Sequence, residues 1–199
     1  MKPSKSRRPG SRYEFRAWTD GAHGLELLES WAQSSTTERF HDCYLIGEDP
    51  TYNVKVRDGE LKLKHLIDER RGFQLWNRLR KRDFTLVATP LESVIDSLED
   101  IDDEDHRAIA DRLNSVLKSD DTMLAVPVSK KRRLFRSGLI RGEVTEVKIA
   151  AGKRPSRLTT VAIEGPNLRP LVALRASLGL ADEPNRPYHV AVGAPKLLG

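Results

Sequence analysis

Cysteine is almost absent: Cys43 is the only one among 199 residues. An internal disulfide and a cysteine-based zinc site are therefore excluded, and a reducing, cytoplasmic setting is expected. Long apolar runs are missing too, so no segment reaches the roughly 20 residues a membrane helix needs. The cations at the N-terminus are not followed by the hydrophobic region of a signal peptide. Aromatic residues make up only 6% of the chain and are not clustered, which counts against stacking of single-stranded bases. His23, His41, His65, His106 and His189 lack paired metal-ligand spacing, and no serine or cysteine sits in a nucleophile motif.

Charge is abundant, at 32% of residues and a formal +5. Four of those five excess charges come from Lys2, Lys5, Arg7 and Arg8, which stand without any acid in residues 1–11. That segment reads as a disordered basic tail able to touch nucleic acid, followed by a single domain over 12–199. From Leu91 to Asp105 there are eight acidic residues and no basic one, a solvated acidic lead into a helix.

The most informative stretch is Tyr52 to Leu66, YNVKVRDGELKLKHL. Apolar and basic residues alternate on both sides of Asp58-Gly59, the signature of a two-residue hairpin turn. That turn pairs Arg57 with Glu60, Val56 with Leu61, Lys55 with Lys62, Val54 with Leu63 and Asn53 with Lys64. One face becomes Val/Val/Leu/Leu, and the other sets Lys55 against Lys62 with Arg57 and Lys64 nearby. Like charges opposite one another destabilise a sheet by roughly 0.2–1 kcal/mol per pair, a cost an anion held between them would remove. A solvated lysine-rich outer face is the alternative.

Elsewhere the pattern gives strands at 12–18, 42–46, 84–88, 124–135, 139–149, 158–164 and 186–192. Helices are expected at 21–33, at 109–118 on Ile109, Leu113, Val116 and Leu117, and from Leu168 to Leu178, stopped by Gly179. Asp68 to Arg82 reads as charged and irregular, with Phe73, Leu75 and Trp76 packed inward. Trp18 and Trp31 read as core anchors. The expected fold is α+β: a mainly antiparallel, eight-stranded, closed or nearly closed barrel with about three inserted helices.

Alternation around such a barrel sends Arg12, Glu14, Arg16, Lys55, Arg57, Lys62, Lys64, Lys130 and Arg132 inward, with Glu164 and either Glu143 or Glu146. A barrel lined this way needs water, ions or an anionic ligand inside. Arginine clamps phosphate oxygens bidentately and lysine supplies point charge, while carboxylates beside them could hold Mg²⁺ or Mn²⁺.

In sequence order, YEFRAW, DCYLI, NVKVRDGELKLKHL, VSKKRRLF, GEVTEVKI, TTVAIEGPNL and RPYHVAV resemble the motifs of the CYTH, or triphosphate tunnel metalloenzyme, superfamily over roughly residues 12–192. The resemblance implies a tunnel that binds a triphosphate or nucleotide through Arg16, Lys55, Arg57, Lys62, Lys64, Lys130 and Arg132. It implies Mg²⁺ or Mn²⁺ on Glu14, Glu143 and Glu164, with Glu14 and Glu164 in catalytic roles. Three positions depart from the pattern: Arg12, Thr160 and Ala162 stand where the family carries acids, which thins the metal-binding half. Slow metal-dependent triphosphate hydrolysis is therefore expected beside two alternatives, a catalytically silent phospholigand binder and a nucleic-acid-binding protein using the tail and an outward basic face. Tyr188 is a further candidate for a phosphate hydrogen bond.

Overall fold

A computed structural model describes residues 11–19, 24–79, 106–117, 123–150 and 156–193. Its strands are β1 (Arg12–Thr19), β2 (Ser34–Ile46), β3 (Tyr52–Arg57), β4 (Glu60–Arg70), β5 (Phe73–Arg78), β6 (Leu124–Ser137), β7 (Ile140–Ile149) and β8 (Ser156–Gly165). The helices are α1 (Leu25–Trp31), α2 (His106–Leu117), α3 (Leu168–Ser177) and α4 (Tyr188–Val192). The expected strand at 84–88, the acidic run 91–105 and the tail up to residue 10 lie outside the described residues.

The strands close in the order β1-β5-β4-β3-β2-β6-β7-β8, every neighbour antiparallel. The expected α+β closed barrel is thus the observed one. The hairpin forms in the register its alternation dictates, from Arg57↔Glu60 to Asn53↔Lys64. Asp58 and Gly59 both take positive φ, 53° and 65°, as a turn matched to strand twist requires.

The barrel is greasy outside and charged inside. The outward residues Val54, Val56, Leu61 and Leu63 pack with Cys43 and Leu45 under Ile109, Leu113 and Leu117 of α2. On the opposite wall Phe15, Phe73, Phe135, Val161 and Ile163 meet Leu28 of α1 and Leu171 and Leu174 of α3. Each such fully buried side chain contributes about 1.5–3 kcal/mol, so the helices are stapled on by the outward face of the sheet. One end of the interior is apolar: Val126, Val128, Val147 and Ile149 pack with Tyr188 and Val192 of α4.

Three elements differ from the sequence reading. Residues 186–192 are not a closing strand, since α4 occupies Tyr188–Val192 after Pro187, whose φ of -65° suits a helix start. Asp68 to Arg82 is not irregular: β4 continues to Arg70, Arg71 and Gly72 turn at positive φ, and β5 follows. A bulge between Leu66 and Asp68 shifts the register there, which breaks the period-2 pattern that would have revealed the strand. β2 starts at Ser34 rather than Asp42, because its first six residues are exposed and polar on both faces.

Candidate functional site

The charged half of the interior is a cavity of about 360 Å³. Its walls carry ten cations and four carboxylates, with Asp42 buried immediately behind them. The binding and metal candidates read from the sequence are all in that lining: Glu14, Arg16, Lys55, Arg57, Lys62, Lys64, Lys130, Arg132, Glu143 and Glu164. Arg12 is not among them; its Nη1 donates to the Leu139 carbonyl at 2.8 Å instead. Glu146, the alternative to Glu143, is exposed and pairs with Lys131.

Ion pairs sort the lining into groups. Asp42, with no side-chain exposure, accepts from Lys130 Nζ at 2.6 Å, Lys55 Nζ at 3.1 Å, and Arg57 Nε and Nη2 at 2.5 and 2.7 Å. Burial alone would raise its pKa, but Lys130, Arg57 and Lys55 outweigh burial and hold the carboxyl well below the usual range. Burial likewise pushes the Lys55 amine down to about 7, with Asp42 opposing. Aromatic faces fix the same cations. The Phe40 ring lies 3.9 Å from the Arg57 guanidinium and 4.8 Å from that of Arg132, and Lys130 Nζ lies 3.4 Å from the Tyr188 ring centre.

The second group centres on Glu143, which accepts from Arg16 Nη2 at 2.5 Å and Arg132 Nη1 at 3.3 Å. Burial opposes its charge, Arg16 and Arg132 prevail, and the pKa falls to about 2. Arg16 Nη1 also donates to the Thr160 hydroxyl at 2.6 Å and to Tyr188 Oη at 3.0 Å. Thr160, one of the family departures, therefore orients an arginine instead of contributing a charge. Tyr188 lines the cavity from α4 at its apolar end, with its hydroxyl already engaged by Arg16 and Thr160.

A third group joins the remaining lining glutamates to lysine and arginine. Lys64 Nζ meets Glu14 Oε1 at 2.6 Å, Arg141 Nη1 meets Glu164 Oε1 at 3.1 Å, and Arg132 Nη2 meets Glu38 Oε2 at 2.5 Å. Among the described residues Lys62 pairs with Asp58 and Glu60, at 3.8 and 3.7 Å. Arg78 and Arg136 have no carboxylate partner among the described residues, and the buried Nε of Arg132 is also unpartnered there.

The carboxylates fit a metal ion poorly. Among the described residues no three His, Cys, Asp or Glu side chains are grouped to hold one. Glu14 and Glu164 are direct cross-strand partners, whereas Glu143 lies opposite Ala162 and is neutralised by Arg16 and Arg132. Burial and the nearby Glu14 raise the pKa of Glu164.

Sequence reasoning missed Asp42, Glu38, Phe40, Arg78, Arg136, Arg141 and Asn185, all but Asp42 in the lining. Alternation back from Tyr44 would have placed Asp42, Phe40 and Glu38 on the inward face, had β2 been recognised past its polar half. Arg78 was missed because adjacent Leu75 and Trp76 are both buried and break the alternation of β5.

No family model and no curated protein matches the chain. Among solved structures, a conserved hypothetical protein from Pyrococcus furiosus superposes with TM-score 0.52 at 17% identity, over 90% of this chain and 98% of its own. The PH1012 protein from Pyrococcus horikoshii gives TM-score 0.51 at 15% identity, over 89% and 97%. A Bacillus halodurans protein described as a candidate adenylate cyclase aligns at 10% identity with TM-score 0.47, over 91% and 96%, and a likeness that loose carries no functional weight. The first two share the fold. The eight-stranded antiparallel barrel agrees with what the CYTH resemblance implies of architecture.

Proposed function

We propose that the barrel binds a triphosphate-bearing or polyphosphate anion, and that it does so without a metal ion. The observation that supports this most is the imbalance inside one enclosed cavity: ten cations against four lining carboxylates and Asp42. Like-signed groups crowded at low dielectric repel strongly, and a phosphate chain supplies the missing negative charge at several points at once. Arg57, Arg132 and Arg16 offer planar donor forks for non-bridging oxygens, and Lys55, Lys62 and Lys64 add point charge. Arg78 and Arg136, which have no carboxylate among the described residues, add attraction near the opening.

Tripolyphosphate in the presence of EDTA should raise the melting temperature, and calorimetry should give a saturable isotherm. Lys55→Glu should abolish both, while Glu14→Gln should leave them intact. Binding that appears only with Mg²⁺ or Mn²⁺ would sink the metal-free reading.

A second reading, slow hydrolysis with Mg²⁺ or Mn²⁺, is favoured by one feature. Glu14 and Glu164 stand directly opposite each other across β1 and β8, and Glu164 has a raised pKa. Phosphate released from tripolyphosphate or a nucleoside triphosphate, and lost in Glu14→Gln and Glu164→Gln, would establish it.

A further inference from the structure

The outer wall carries a second set of cations that the interior does not use. Register lines up two outward rows across β2, β6, β7 and β8. One holds His41, Ser129, Lys148 and Arg157, and the next holds Arg39, Lys131, Glu146 and Thr159. Arg39 therefore stands directly opposite Lys131, and Lys148 directly opposite Arg157, all four exposed. Like charges so placed weaken a sheet unless an anion lies across them. Lys131 has Glu146 at 3.1 Å, but Arg39, Lys148 and Arg157 have no carboxylate partner among the described residues.

This wall is also concave. A depression of about 410 Å³ lies over both rows. It shares Lys131, Glu146 and Thr159 with a neighbouring one of about 550 Å³, which reaches Arg133, Thr37 and Leu25 of α1. Within the first, Ser129 Oγ and His41 Nδ1 are 3.0 Å apart, adding hydrogen-bonding groups beside the cations.

We propose that this groove binds the sugar-phosphate backbone of single-stranded nucleic acid without selecting bases. Neighbouring strands are about 4.8 Å apart and alternate residues about 6.6 Å along a strand, so the cations present a grid able to follow successive phosphates of one chain. The two joined depressions are of a size for a few nucleotides. Neither row has a Phe, Tyr or Trp side chain on which a base could stack. A lipid surface is disfavoured, since among the described residues the exposed large apolar side chains, Leu27, Leu124, Leu139 and Val190, all lie off these rows. The groove is independent of the phosphate chain proposed for the interior.

The test is fluorescence anisotropy of fluorescein-labelled oligo(dT) with the full chain, over a salt series. Log affinity should fall linearly with log salt. The triple variant Arg39→Glu, Lys148→Glu, Arg157→Glu should bind at least about tenfold more weakly, with a slope shallower by about 2, since each phosphate contact on a single strand contributes about 0.7. Its melting temperature and tripolyphosphate response should match the unaltered protein. Should the triple variant not fold, Lys148→Glu alone should still lower the slope by about 0.7. Deleting residues 1–11 should leave most of the affinity. The proposal is overturned if the triple variant binds oligo(dT) normally, or if the tail deletion alone removes binding. It also falls if oligo(dT) does not bind while poly-glutamate or anionic vesicles do.

Discussion

Asp42 is the residue on which the interior turns. One carboxylate with no side-chain exposure holds Lys55, Arg57 and Lys130 in place, doing from inside the protein what a phosphate would do from outside. Removing one partner of a buried ion cluster leaves uncompensated charge and costs about 3–5 kcal/mol. Asp42→Asn should therefore lower the melting temperature sharply, and tripolyphosphate should recover more of it than it adds to the unaltered protein. Equal ligand-induced shifts would show that the three cations do not meet the anion. Lys55 gives the pH counterpart. Burial holds its pKa down at about 7, far below the roughly 10.4 of a free lysine. Anion affinity should fall as pH rises through that value, and calorimetry in buffers of differing ionisation heat should show proton uptake on binding. Lys55→Met should lose the protein's share of that dependence.

At the level of elements, the helices sit close because selected strand positions leave room for them. A Cβ added at Gly142 of β7 would come within 2.6 Å of Leu28 Cδ2, and Leu28 is fully buried beneath α1. Gly142→Ala should destabilise the fold by about 1–3 kcal/mol, the usual range for overpacking. Adding Leu28→Ala should relieve the clash, so the two changes together should cost less than their sum in denaturant melts. Additive costs would mean that α1 does not press on β7 at this point. The same element places Glu143 one residue further along, so the helix contact also sets the height of a cavity carboxylate. α2 has no such role: it covers Val54, Val56, Leu61 and Leu63, the reverse faces of the residues that carry the hairpin cations.

Across the whole molecule, the legible part was what alternates without interruption. The hairpin's period-2 pattern specified its turn, its register and the shared face of Lys55, Arg57, Lys62 and Lys64, and the same reasoning set Lys130 with Arg132 and Glu14 with Arg16. It could not see past the Leu66/Asp68 bulge of β4, where one extra residue turns the pattern over, nor read β5 with Arg78, where adjacent Leu75 and Trp76 are both buried. Nor could it read the first half of β2, exposed on both faces, so Glu38 and Phe40 went unassigned, while Asp42 stood at the first position of the recognised strand. The run before Val192 carries as much β-branched and aromatic character as a strand, and only tertiary packing makes it α4. That last element has the largest effect on what the barrel can accept. With Tyr188 and Val192 seated among Val126, Val128, Val147 and Ile149, the vessel is blind-ended, so a long polymer cannot thread through it. A chain of many phosphates would be gripped by its terminus, leave by the way it came, and be recognised by its end group whatever its total length.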